Sequence, residues 1–474
     1  MTDSRLAIVV LAAGQGTRMK SSRPKVLHEL AGVPLIGHVL ATARELGAAH
    51  VVTVVRFERD LVAAAVAEYL PEALIVDQDE VPGTGRAVEV ALGALPDDFD
   101  GDVVVVSGDV PLLDAATISG LLHAHRQATA AATLLSAIVD DATGYGRVVR
   151  DADGSLTRIV EHGDAAEDER AISEVNSGTY VFSAASLRTQ LPALSVANAQ
   201  GERYLTEVVG LLSTAGELVE AVPARDAWIV EGVNDRVQLA RAAGRLNAMI
   251  VRGWQLAGVT VYDPGTTWID LRATLAEDVE LLPNTHIGGS TVIARGARIG
   301  PDTTLVDCEI GEDAVVKRTD ATLAVIGKGA TVGPFAYLRP GTELGEGGKI
   351  GTYVETKNAK IGAGAKVPHL SYIGDATIGE GTNIGAGAIT ANYDDLEKHS
   401  TTIGKHVHTG THNSFVAPVT IGDGAKIGAG TVVRRDVPPG ALGVSVAQFK
   451  IVEGWIERNR AGTESAQAAA DAAE

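Results

Sequence analysis

An aliphatic residue returns every six positions at Ile326, Val332, Leu338, Leu344 and Ile350, usually with a small residue, most often Gly, next to it. That spacing suits neither a helix, with its period of about 3.6, nor an ordinary strand, with its period of about 2. The unit recurs out of strict register as Ile293-Ala294, Ile299-Gly300, Ile310-Gly311, Ile361-Gly362, Ile378-Gly379, Ile403-Gly404 and Ile427-Gly428. A repeat of six predicts a parallel β-helix, in which each hexapeptide is a short strand plus a corner. The aliphatic side chain points inward and the small residue lets the backbone turn. Three such faces close one coil. With coils about 4.8 Å apart, residues 270 to 440 predict roughly nine coils and a rod about 45 Å long.

Ahead of the rod the pattern changes. Leu6 to Leu11, His50 to Val55, Leu74 to Val76 and Asp102 to Ser107 are short β-rich runs, and Pro34 to Leu46, Leu61 to Tyr69 and Thr84 to Leu95 have helical spacing between them. This alternation predicts a mainly parallel α/β sheet of Rossmann-like type, with ligands at the carboxyl ends of its strands. Boundaries are expected at 1–233 for this domain, 234–256 for a linker helix, 257–456 for the repeat domain and 457–474 for a disordered tail of Ala, Gln, Ser and Glu.

Net charge is −20 over 474 residues, with no long basic run, so nucleic acid is not an expected partner. Phosphorylated small molecules would need local Lys or Arg and a divalent cation against that background. The lone cysteine, Cys308, has no internal partner and reads as apolar filler. Leu6 to Ala13 runs straight into a Gly-rich turn and reads as a first strand rather than a signal-peptide core; no membrane span and a cytoplasmic location are expected.

Three groups of residues carry chemistry. Gly14 and Gly16 follow the first strand and let backbone amides approach an anion, while Arg18 and Lys25 can set positive charge on phosphate oxygens. The stretch lacks both the dinucleotide fingerprint and the Gly-Lys-Ser/Thr of a P-loop. Ser107-Gly108-Asp109 closes another strand and leaves a carboxylate at its tip, a candidate Mg²⁺ ligand. On the rod, Glu355, Lys357, His369, Tyr372 and Asn383 interrupt the beat, and a loop around Asn392, Tyr393 and Lys398 replaces two units. Long loops leaving a regular solenoid are more often functional than not. Glu355 is expected beside His369, orienting its ring.

The order of Leu11 to Met19 with Lys25, Gln78 with Gly83-Thr84-Gly85, Ser107-Gly108-Asp109, Tyr145-Gly146-Arg147, Ile159-Val160-Glu161, Glu174 to Gly178 and Gly232 to Asp235 resembles the sugar-1-phosphate nucleotidyltransferases. Joined to a hexapeptide rod, it is similar to the bacterial bifunctional N-acetylglucosamine-1-phosphate uridyltransferases and glucosamine-1-phosphate acetyltransferases, over residues 5 to about 456. The resemblance implies a left-handed β-helix, and UTP held by Leu11, Ala12, Ala13, Gly14, Gln78, Gly83 and Thr84. It further implies phosphate neutralisation by Lys25, Mg²⁺ held by Asp109 and Asn234, and N-acetylglucosamine-1-phosphate faced by Gly146, Glu161 and Asn176. On the rod it implies His369 as the base, glucosamine-1-phosphate held by Arg339, Lys357, Tyr372 and Asn383, and acetyl-CoA touched by Ala386, Asn392, Tyr393, Thr411 and Ala429. A homotrimer, whose 392–398 loop reaches a neighbouring subunit, is implied in the same way.

The chain departs from the family pattern at Arg56-Phe57-Glu58, Gly163, Glu207 and Thr411-His412, and no Arg follows Ser445. Two other functions fit the sequence less fully: a nucleotidyltransferase for another base or sugar whose rod serves assembly, and a non-catalytic regulatory subunit. The intact Lys25, Asp109, Asn234 and His369 argue against the last.

Overall fold

The structure, a computed structural model, describes residues 3–446 and 450–473. It divides into two compact units. The first holds the chain up to Ala257 with Pro264–Ala273 and Ile287–Gly289; the second holds Gly258–Asp263, Thr274–His286 and the chain from Ser290 on.

The first unit is built on a mixed sheet. Its strands are β1 (Asp3–Ala12), β2 (Ala48–Val55), β3 (Leu74–Asp77), β4 (Asp102–Ser107), β5 (Ala132–Ile138), β6 (Arg147–Arg150), β7 (Leu156–Val160), β8 (Glu174–Ser183) and β9 (Val219–Pro223). The order is β9-β5-β8-β4-β1-β2-β3, with β6 and β7 forming a hairpin that pairs with β8. Strand β1 runs parallel to β2 and β4, and β8 is antiparallel to both β4 and β5. The four expected strand runs are therefore the parallel half of the sheet, and the expected helices are Leu35–Glu45, Arg59–Tyr69 and Thr84–Leu92. The near-continuous Val and Ile of β1 and β4 follow from burial on both faces: Ala7 and Val9 enter one apolar core, Ile8 and Val10 the other.

Helix Arg236–Leu256 belongs to this unit. Asp235 caps it, accepting hydrogen bonds from the amides of Val237 and Gln238, and Ala242 and Leu246 pack with Leu30, Leu35 and Val233. The cap therefore fixes the segment that carries Asn234.

The second unit is a parallel β-helix. On one face Glu280–Leu281, Arg298–Ile299, Val315–Val316, Thr331–Val332, Lys349–Thr352 and Lys366–His369 lie side by side and parallel. The beat residues Ile326, Val332, Leu338, Leu344 and Ile350 are all buried. Each such side chain contributes about 1.5–3 kcal/mol by leaving water, enough in sum to hold strands only a few residues long. Cys308 is buried, with Sγ donating to the carbonyls of Val306 and Ala321, and burial raises its thiol pKa. Residues 457–474, expected as a disordered tail, include most of helix Trp455–Asn459 and all of helix Glu464–Asp471, and neither helix buries a residue.

Candidate functional site

In the first unit the carboxyl ends of β1, β2, β3 and β4 open into a cleft of about 710 Å³. Leu11, Ala12, Ala13, Gly14, Lys25, Gln78, Gly83, Thr84, Ser107 and Asp109 line it, ten of the residues expected for nucleotide and phosphate. Gly16 has φ +66, and a Cβ there would lie 2.5 Å from the Cβ of Lys25. The glycine thus lets the lysine stem cross the turn and enter the cleft. Lys25 Nζ pairs with the carboxylate of Asp109 and donates to Asn234 Oδ1 at 3.1 Å. The backbone supports this pair: the amide of Gly108 donates to the carbonyl of Leu11, and that of Val233 to the carbonyl of Asp109.

A carboxylate and an amide oxygen meeting at one ammonium are hard donors suited to a divalent cation that takes its other ligands from phosphate oxygens. Among the described residues no group of three or more His, Cys, Asp or Glu could cage a metal by itself.

Gly83 has φ +115, and a Cβ there would lie 2.2 Å from the carbonyl oxygen of Arg203. Its own carbonyl accepts from Gln78 Nε2 at 3.1 Å, and Thr84 Oγ1 accepts from the amide of Leu205. One residue further, Thr206 donates to Glu161 Oε1 at 3.0 Å. Segment 203–206 thus joins the Gln78–Thr84 loop to a second cluster, where Gly146 lies against Glu161 and Asn176 and its carbonyl accepts from the Asn176 amide. Glu161 is held mostly out of water; burial raises its pKa, opposed by the Thr206 hydrogen bond. Among the described residues Arg147 is the largest fully buried side chain, and its guanidinium donates to the carbonyl of Tyr145. Gly146, Glu161, Asn176 and Asn234 are not in the cleft wall itself, nor is Gly108. Arg18 stands exposed in the Thr17–Met19 turn, also outside it.

Sequence reasoning missed Glu202 and segment 203–206, which carry no motif. The departure Arg56-Phe57-Glu58 proves to line the cleft. Its place one residue past a strand end was the available signal.

On the coil, Lys357, Tyr372 and Asn392 gather around Asp375. Its carboxylate accepts from Asn358 and Asn392 and stands 3.8 Å from Lys357 Nζ. Burial works to raise the Asp375 pKa, but those hydrogen bonds and the charges of Lys357 and Lys398 outweigh it and lower it. Lys398 lies against Lys357, whose side-chain hydrogen bond and like charge lower the Lys398 pKa. Two ammonium groups and one carboxylate leave a positive excess suited to a phosphate. Tyr393 Oη donates to the carbonyl of Asp395 and stands exposed in the loop.

His369 is exposed at the end of its strand. Its neighbour in register is Thr352, whereas Glu355 stands beside Tyr372. Glu355 gives its carboxylate to Arg339 at 3.0 Å. The orienting role expected of Glu355 is therefore corrected: the register carries it past the histidine, to the arginine. From His369 one edge runs coil by coil. The carbonyl of His369 accepts from Gly387, that of Ala386 from His412, and that of Thr411 from Gly430, which stacks Ala386, Thr411 and Ala429 on successive turns. Asn383 bridges Lys366 and His408 on the adjoining face.

Residues 8–213 match the MobA-like NTP transferase domain, and residues 400–435 match the bacterial transferase hexapeptide (six repeats). The chain is 62% identical over 469 residues to the bifunctional protein GlmU of Clavibacter sepedonicus, covering 99% of this chain and 95% of the relative. It is 64% identical to that of Leifsonia xyli subsp. xyli, covering 99% and 96%. It is 57% identical to that of Pseudarthrobacter chlorophenolicus, covering 98% and 94%. The chain belongs to the GlmU family. GlmU membership gives both halves their class: a nucleotidyltransferase unit of Rossmann-like type and a left-handed parallel β-helix of hexapeptide repeats.

Proposed function

We infer that this GlmU-family chain is a bifunctional enzyme: it acetylates glucosamine-1-phosphate with acetyl-CoA, then transfers UMP from UTP to N-acetylglucosamine-1-phosphate, releasing pyrophosphate. The observation that carries the uridyl step is the convergence of Lys25, Asp109 and Asn234 at the mouth of a cleft walled by Gly14, Gln78, Gly83 and Thr84. In that step a phosphate oxygen of the sugar attacks the α-phosphorus of UTP in line, and the bond to the departing pyrophosphate breaks. Such a transfer needs positioning and charge neutralisation more than a covalent nucleophile. Lys25 neutralises phosphate, and Gly83 and Gln78 seat the base. Gly146, Glu161 and Asn176 face the acetylated sugar. Asp109 and Asn234 would hold Mg²⁺, which supplies further neutralisation of the phosphates when bound.

On the coil, His369 takes a proton from the sugar amine as the nitrogen attacks the thioester carbonyl. The carbon–sulfur bond then breaks and the thiolate leaves. Arg339, Lys357, Tyr372 and Asn383 hold the sugar phosphate, with Lys398 as an additional cation. Ala386, Asn392, Tyr393, Thr411 and Ala429 contact acetyl-CoA. A homotrimer is supported by the exposed corner residues Phe335, Tyr353 and Leu370, which offer apolar surface. The product is a precursor for peptidoglycan and cell-wall synthesis, and the enzyme is placed in the cytoplasm. Among the described residues no helix is long and apolar enough to cross a membrane.

Two assays on one preparation test this reading: pyrophosphate release from UTP, Mg²⁺ and N-acetylglucosamine-1-phosphate, and thiol release from acetyl-CoA with glucosamine-1-phosphate. Both are expected. Absence of either from a folded protein overturns the corresponding half.

A further inference from the structure

One face of the coil carries a row of basic groups. Lys349 stands beside Lys366 in register, Lys366 beside Asn383, Asn383 beside His408, and His408 beside Lys426. Lys349, Lys366, His408 and Lys426 are all exposed. Three other coil lysines are paired: Lys328 with Glu312 at 2.7 Å, Lys360 with Glu343 at 3.2 Å, and Lys405 with Glu380 at 3.8 Å. Lys349, Lys366 and Lys426 have no carboxylate partner among the described residues. Like charges stacked at strand spacing repel one another. In a chain of net charge −20, an unpaired row of this kind concentrates positive potential on one strip.

The strip has a definite relation to the acetyl edge. His369 follows Lys366 by three positions, and Ala386, Thr411 and Ala429 follow Asn383, His408 and Lys426 in the same way. Row and edge therefore climb the coil side by side, one flanking the other on every turn. Lys366 to Lys426 is three strand steps, about 14 Å. Lys349 lies on the same row one step the other way from Lys366, on the turn of Thr352.

We propose that His408 and Lys426 bind the phosphates of acetyl-CoA, the coenzyme lying along the edge with its thioester at His369 and its nucleotide end toward Lys426. This rests on the reading of that edge as the acetyl-transfer site. A thioester must reach the histidine while the diphosphate and the sugar phosphate of the coenzyme require cations some distance away. The row supplies them on the side where Ala386, Thr411 and Ala429 stand. The imidazole of His408 and the ammonium of Lys426 donate to phosphate oxygens as charge-assisted hydrogen bonds. Lys349, on the opposite side of His369, takes no part.

The test is steady-state acetyl transfer by the full chain, with glucosamine-1-phosphate saturating and acetyl-CoA varied. The double variant His408→Ala with Lys426→Ala raises KM for acetyl-CoA about tenfold and leaves kcat within about twofold. Lys349→Ala leaves both unchanged. With acetyl-pantetheine, which lacks phosphates, wild type and double variant behave alike. An unchanged KM in the double variant overturns the proposal, as does an equal rise from Lys349→Ala, which would mark a general field effect. Wild type that releases no thiol from acetyl-CoA contradicts the reading of the edge itself, a separate failure from a silent double variant.

Discussion

The cleft of the first unit and the edge of the coil assemble their residues in opposite ways. Lys25 reaches Asp109 across 84 positions and Asn234 across 209, so the cleft exists only because a sheet brings distant strand ends together. Asn392 and Asp375 are 17 apart, as are Asn358 and Asp375, because each turn of the coil sets its residues on those of the turn before. A cleft of the first kind fails at single points that hold its loops. An edge of the second kind is distributed, and a local change weakens one contact while the repeat persists.

Short of removing a site residue outright, the largest expected effect is at Gly16. Gly16→Val places a branched side chain where φ is +66 and Lys25 Cβ would be 2.5 Å away, so Lys25 leaves Asp109. Pyrophosphate release should fall by about a hundredfold, a loss typical of misplaced groups, with thiol release unchanged. Equal loss in both assays would mean that the two sites are not independent.

A smaller effect is expected on the coil. Asp375→Asn removes the carboxylate that Asn358, Asn392 and Lys357 share. KM for glucosamine-1-phosphate should rise about threefold to tenfold as Lys357 and Lys398 lose their neutralising neighbour and separate. Kinetics that separate KM from kcat check it; a hundredfold loss of kcat would mean that Asp375 acts in the chemistry.

The cleft and the coil also differ in what the sequence could disclose. The six-residue beat is a property of local spacing, so the coil and its buried Ile326, Val332, Leu338, Leu344 and Ile350 were legible in advance. The Gly14, Asp109 and Asn234 motifs were legible one by one, but only the fold shows that Lys25 joins the last two. Glu355 was misplaced because a beat tells which side chains point inward, whereas coil length decides which residues are neighbours. The turn that sets Thr352 beside His369 sets Glu355 beside Tyr372. Residues 203–205 were invisible for a different reason: they work through their own backbone, bonded to Pro82, Gly85 and Thr84, as any sequence could be.

The smallest effect sharpens the contrast through pH. Burial raises the pKa of Glu161 above its ordinary value of 4.5. The folded state therefore holds a proton more tightly than the unfolded chain, and stability falls as pH rises from 4.5 through the raised value. Glu161→Gln cannot ionise and escapes that loss. Thermal melting should show the variant equal to wild type at low pH and higher by about 2 °C at neutral pH, while pyrophosphate release declines. A variant less stable at neutral pH would contradict burial as the dominant cause.

The central claim is that two separately built sites perform two separable reactions, and the direct test is a crossed pair of variants in the two assays. Asp109→Ala should abolish pyrophosphate release and spare thiol release, and His369→Ala should do the converse. Either substitution removing both activities from a protein that still melts as wild type does would contradict the account.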